Sequence, residues 1–178
     1  MTTDLICVEN PEKEIKIDSF HMPRWTELPS IDLYIDQIVS LIDKCLGPLL
    51  CHHDGFPLTK SMINNYVKAK IVDAPVNKKY PRLSVAMIIV VCILKNCYTT
   101  EEVGRLIQLG IRMDNPQQTY DRFCESIEKA LREVFSGEII IRDESLTERP
   151  DKYLMDNFAL SFASKFYVQK TFLHSGKI

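Results

Sequence analysis

Apolar residues recur at helical spacing along most of the chain. Ile31, Tyr34, Ile35, Ile38, Leu41, Ile42 and Cys45 mark one face of a first helix, since positions three and four apart share a side. Ser30 is placed to cap it, Asp32 sits in its first turn against the dipole, and Gly47-Pro48 stops it. A short second helix follows the cap Thr59. Met62, Ile63, Tyr66 and Val67 form its inner face, and Lys60, Ser61, Asn64, Asn65 and Lys68 its outer face. Asp73 to Arg82, stiffened by Pro75 and Pro81, reads as a turn or small wing. Val85 to Asn96, starting near Ser84, reads as a buried helix. Thr99-Thr100-Glu101-Glu102 is a capping box, in which hydroxyl and carboxylate serve each other's backbone amides. The helix it opens has Val103, Leu106 and Ile107 inward and ends at Gly110.

The C-terminal part shows two longer periodic stretches. Asn115 to about Phe135 carries Tyr120, Phe123, Cys124, Ile127, Leu131, Val134 and Phe135 on one stripe, and Ser136-Gly137 breaks it. Glu138 to Arg142 is a short strand or extended segment. Asp151 to Leu173 is a last amphipathic helix with Leu154, Phe158, Phe162, Phe166 and Tyr167 inward. Residues 1–22 are polar and weakly patterned, which fits a mobile arm or one short strand. No internal repeat of fixed period is evident. The expectation is an all-α, mostly helical protein with an arm over 1–23, a first domain over 24–112 and a helical region over 113–178.

The 178 residues suffice for a sizeable core, and 46% apolar with 26% charged residues is an ordinary globular balance. The net charge of −2 hides a segregation. Residues 56–98 hold Lys60, Lys68, Lys70, Lys78, Lys79, Arg82 and Lys95 against Asp73 alone. A positive face on an acidic protein can steer it toward a polyanion. The second helix sharpens this, because its outer face is Asn, Ser and Lys with no carboxylate for a phosphate to repel. No leader is visible at Met1-Thr2-Thr3-Asp4-Leu5, and the run Val85 to Leu94 is too short to span a bilayer. The expectation is a cytoplasmic protein without a membrane partner.

Six cysteines show neither CxxC nor disulfide-framework spacing, as expected of reduced core residues. Cys51-His52-His53-Asp54 is the one cluster with metal-ligand chemistry, though neighbouring side chains on a short loop rarely all reach one ion. Catalysis by a Cys-His pair would need an orienting group and an oxyanion site, and no such signature stands out. Neither GxGxxG nor GxxxxGK[ST] occurs. No catalytic residue, no cofactor and no enzyme activity is expected.

Two resemblances follow from these residues. Trp25, Leu28-Pro29, Leu33-Tyr34-Ile35-Asp36-Gln37, Leu58 to Lys68, Pro75, Lys78-Lys79-Tyr80, Ile93-Leu94-Lys95 and Ala163 to Lys170 resemble a bacterial family, domain of unknown function 1836, over most of residues 24–173. More loosely, the order of a capped helix, a proline, a basic wing and two further helices resembles the winged helix-turn-helix of MerR-type transcription regulators. Thr59 looks like the cap, Ile63 and Tyr66 like the helix pair, Pro75 like the proline, Lys79-Tyr80 and Arg82 like the wing, and Thr99 to Val103 like the last helix opening. Asn64 stands where those regulators usually have Arg, and Gly47 to Pro57 intervenes upstream.

The resemblance implies binding of double-stranded DNA by a homodimer in transcriptional control. Asn64 and Asn65 would face base edges, Ser61 either bases or phosphates, and Lys60, Lys68, Lys78, Lys79 and Arg82 phosphates, with Tyr80 in the wing. A protein-interaction module on the same fold is the alternative, and a metal or thiol sensor using Cys51, His52 and His53 the third.

Overall fold

The computed structural model describes residues 17–50, 58–111, 115–137 and 150–173. The first helix starts later than its periodicity suggests. Leu33–Tyr34 is a strand, β1, and α1 spans Ile35–Leu50. Gln37 reaches back to accept the Tyr34 N–H at 2.9 Å, so Ser30 is not the cap. Ile31 and Tyr34, expected to face inward, are 68% and 49% exposed. The cause is tertiary. β1 pairs antiparallel with β2 (Lys79–Tyr80), Leu33 opposite Tyr80 and Tyr34 opposite Lys79, and extended backbone satisfies its polar groups across that ladder. At the other end, α1 continues through Gly47-Pro48 to Leu50. A helical proline costs about 3 kcal/mol. Complete burial of Leu46 and Leu49 beside it, about 1.5–3 kcal/mol each, offsets that.

α2 spans Lys60–Lys68, and the Thr59 hydroxyl accepts the Met62 N–H at 3.2 Å. Ile63 and Tyr66 are buried, with Met62 and Val67 half-buried beside them. The helix ends in a Schellman arrangement. The Ile71 N–H donates to Tyr66 O and the Lys70 N–H to Val67 O, each at 3.0 Å, with Lys70 left-handed at φ 57°. The wing is a tight hairpin tip. Val76 and Lys79 exchange backbone hydrogen bonds of 2.9 and 3.0 Å across Asn77 (φ 50°) and Lys78 (φ 65°). Two central residues with positive φ make the turn whose twist suits a hairpin.

α3, Arg82–Leu94, begins before the expected start, so Ser84 is buried within the helix at 1% exposure. Its apolar residues are buried on nearly every side, which is why the sequence there lacks a polar stripe. α4, Thr100–Ile111, opens on the capping box as expected. The Thr99 N–H donates to Glu102 Oε2 at 2.7 Å and the Glu102 N–H to Thr99 Oγ1 at 3.3 Å. Gly110 lies inside this helix instead of ending it.

α5, Pro116–Ser136, is capped by Asn115, whose side chain accepts the Gln118 N–H at 2.9 Å, and stops at left-handed Gly137. α6 spans Pro150–Val168, and the chain winds on as a wider π-type turn over Gln169–Leu173. The last helix is therefore not one uniform element. Phe123 packs against Phe158 (5.4 Å between centroids), and Phe135 against Phe166 (5.9 Å) and Tyr167 (5.1 Å). Partners advance together along both helices, so α5 and α6 run in the same sense. The expected extended segment over Glu138 to Arg142 lies outside the described residues.

Residues 17–22, read from sequence as the end of an arm, are packed. Ile17 is buried and Met22 fully so. Short 3-10 turns at Ile17–Ser19 and Trp25–Glu27 lay this segment along α5. Arg24 binds Glu128 through both guanidinium nitrogens at 2.7 Å, and the Met22 N–H donates to the same carboxylate at 2.7 Å. The Trp25 N–H donates to Asp121 at 2.7 Å and the Tyr120 hydroxyl to Pro23 O at 2.8 Å. Burial raises the Glu128 pKa, but the Arg24 guanidinium and the Met22 amide together outweigh it and hold the carboxyl below its ordinary range. The buried side chains from Ile17 to Phe166 form one continuous cluster.

Candidate nucleic-acid interface

The outer face of α2 is open. Lys60, Ser61, Asn64, Asn65 and Lys68 are all exposed, because Ile63 and Tyr66 fix the opposite face in the core. The helix carries no acidic residue. Its N-terminal end adjoins α1, where Lys60 pairs with Asp36. Both partners are more than half exposed, at 58% and 68%. A pair so placed contributes about 0–1 kcal/mol and yields readily to another anion.

Contacts lead from this end of α2 to the hairpin. Asp36 lies in the first turn of α1, directly after β1. Within β1, the Tyr34 ring carries the Lys79 ammonium 5.0 Å from its centroid. Lys78 stands exposed at the neighbouring turn. Lys60, Lys79 and Lys78 are therefore linked through α1 and β1, whereas Lys68 and Lys70 stand at the far end of α2.

Two wing residues are placed differently from the sequence expectation. Tyr80 is 2% exposed. Strand side chains alternate between faces, so with Lys79 outward Tyr80 turns into the core, and burial raises its hydroxyl pKa. It is not available to a ligand on this surface. Arg82 is half-buried. Its Nε donates to Pro29 O at 3.2 Å and its guanidinium lies 5.9 Å from the Trp25 ring. It braces the N-terminal segment against α3.

Sequence reasoning missed Asp36 as the partner of Lys60, and no local signal marks a pair so far apart in the chain. Lys70, counted in the sequence among the basic residues, lies just past the end of α2 with a left-handed backbone that emerges only from the fold. The Cys51, His52 and His53 cluster lies outside the described residues. Among those described, no group of three or more His, Cys, Asp or Glu is arranged to hold a metal ion. Cys45, Cys92, Cys97 and Cys124 are free thiols. Burial pushes Cys92 and Cys124 up to about 12, so both stay protonated and unreactive near neutral pH. No described helix is long and apolar enough to cross a membrane.

The model of one protein family, Domain of unknown function (DUF1836), matches residues 23–123. The chain belongs to that family. The match runs from Pro23 through the hairpin and α4 into α5, so it holds α2 and every candidate interface residue. Ala163 to Lys170 lies beyond it. No curated protein and no solved structure matches the chain.

Proposed function

We propose that this DUF1836 protein binds double-stranded DNA through α2 and the hairpin tip, as a winged helix-turn-helix regulator of MerR type acting as a homodimer. The observation that carries this reading is the exposed, acid-free outer face of α2. Asn64 and Asn65 on that face suit bidentate pairing with adenine edges. Lys60, Lys68, Lys78 and Lys79 suit phosphates, which position the protein without specifying sequence. Ser61 serves either. Tyr80 and Arg82 act from behind, in the core and on the N-terminal segment.

Two further features support it. The order of β1, capped α2, hairpin and box-capped α4 agrees with the resemblance to MerR-type regulators. Lys78 occupies a left-handed position where glycine is the least strained residue. Strain kept at an exposed tip suggests that the ammonium serves a purpose there.

Selection of duplexes from a random pool at near-physiological salt tests the reading. Enrichment of a palindrome is expected, and its half-site spacing reports the dimer. With about four phosphates neutralised, log affinity falls against log salt with a slope near −3.6. Lys78→Ala with Lys79→Ala weakens binding to every duplex and flattens that slope. Asn64→Ala blurs sequence preference. Failure to enrich any sequence, with no affinity for duplex at low salt, rejects the proposal.

A protein-interaction role has one observation in its favour. Ile31 and Val76, near the two strands, are 68% and 69% exposed, and exposed apolar side chains suit a protein partner.

A further inference from the structure

Of the lysines assigned to phosphates, Lys60 is already held by an anion, the Asp36 carboxylate. Among the described residues, Lys68, Lys78 and Lys79 form no ion pair. α2 has no acid of its own, so the carboxylate comes from another element. Asp36 lies in the first turn of α1, where the helix dipole favours an acid. Lys60 is the first residue of α2, where the dipole disfavours a cation. Helix electrostatics therefore accounts for Asp36 in α1 and not for Lys60 in α2. The segment that carries Asp36 is fixed. The Tyr34 N–H donates to the Gln37 side chain at 2.9 Å, and Tyr34 pairs with Lys79 in the strand register, its ring 5.0 Å from that ammonium. One short stretch, Tyr34 to Asp36, thus touches Lys60 of α2 and Lys79 of the hairpin.

We propose that Asp36 is a self-inhibiting contact: its carboxylate occupies the Lys60 ammonium in the free protein, and a duplex must displace it before a phosphate takes its place. This inference rests on the DNA-binding reading and adds to it how that surface is regulated. Carboxylate and phosphate oxygens compete for the same ammonium hydrogens. Both partners are more than half exposed, so the pair opens in water at little cost. Opening it leaves the helices in place, because Ile38 and Ile42 of α1 and Ile63 and Tyr66 of α2 stay anchored in the core. Once displaced, the Asp36 carboxylate still faces the duplex and repels it. The penalty falls on every duplex, whatever its sequence. Charge attraction alone is thereby held down, and the base contacts of Asn64 and Asn65 must supply the remainder.

The test is a fluorescence-anisotropy titration of a labelled random-sequence duplex into the full-length protein over a series of salt concentrations. Asp36→Asn is isosteric and exposed, so the fold is kept. It is expected to tighten binding about three- to ten-fold at about 0.1 M salt and to steepen the salt slope by up to about 0.9. The sign separates an inhibitor from a brace, since removing a brace loosens α2 and weakens binding. Asp32→Asn is the charge-matched control. Asp32 is exposed and in no ion pair among the described residues, and screening limits its effect to less than about two-fold. Parental affinity and slope in Asp36→Asn overturn the inference and leave the DNA-binding reading standing. Weaker binding by Asp36→Asn overturns it too, as do equal gains in the two variants, which would reflect net charge alone. A parent protein without affinity for duplex at low salt removes the DNA-binding reading itself, and this inference with it.

Discussion

Lys78 illustrates how one residue can set stability against interaction. Its left-handed backbone costs about 1 kcal/mol relative to a residue free of that restriction, and Asn-Gly is the preferred pair for this turn. Lys78→Gly should therefore raise stability by about 0.5–1 kcal/mol, read as a higher urea midpoint at unchanged slope. The same change should lower duplex affinity by removing an exposed charge. A variant that loses stability would show that the lysine side chain holds the hairpin. Tyr80, one residue past Lys79, shows the limit of reading residues singly. Tyrosine beside basic residues looks like a contact residue in sequence, and only the strand register turns it inward.

At the scale of elements, the helices whose ends are fixed by neighbouring side chains were legible in advance. Thr59 before α2, Thr99 before α4 and Asn115 before α5 each satisfy the amide three residues on, and that chemistry is written locally. The elements misread from sequence are those where distant contacts outweigh local preference. α1 runs past Gly47-Pro48 because Leu46 and Leu49 are buried, and it begins late because β2 claims the backbone before it. Gly47 gives a direct check. A Cβ added there would meet only the Asp43 side chain, no closer than 3.4 Å. Gly47→Ala should stabilise the protein by about 0.5–1 kcal/mol through helix propensity, measured by thermal unfolding. A helix ending at this glycine in a left-handed turn would be destabilised by the same change.

Across the whole molecule, the charge pair of Arg24 and Glu128 joins the N-terminal segment to α5. Glu128 has its folded pKa held below the ordinary 4.5. Its stabilisation is therefore complete above about pH 4.5 and is lost as the pH falls through the lower folded value. Glu128→Gln should cost about 2 kcal/mol at neutral pH, from the charged hydrogen bonds it gives up. It should also shallow the acid limb of a stability–pH profile below about pH 4.5. An acid limb identical to that of the parent would remove Glu128 from the linkage. The helical class, the capped starts of α2, α4 and α5 and the acid-free outer face of α2 can be read from local sequence, because periodicity and capping act within a few residues. Long-range contacts set the strand pair that shortens α1, the burial of Tyr80 and the docking of residues 17–28 on α5. Each depends on residues brought together from far apart in the chain, where the free energy of burial and pairing exceeds what any local preference can specify.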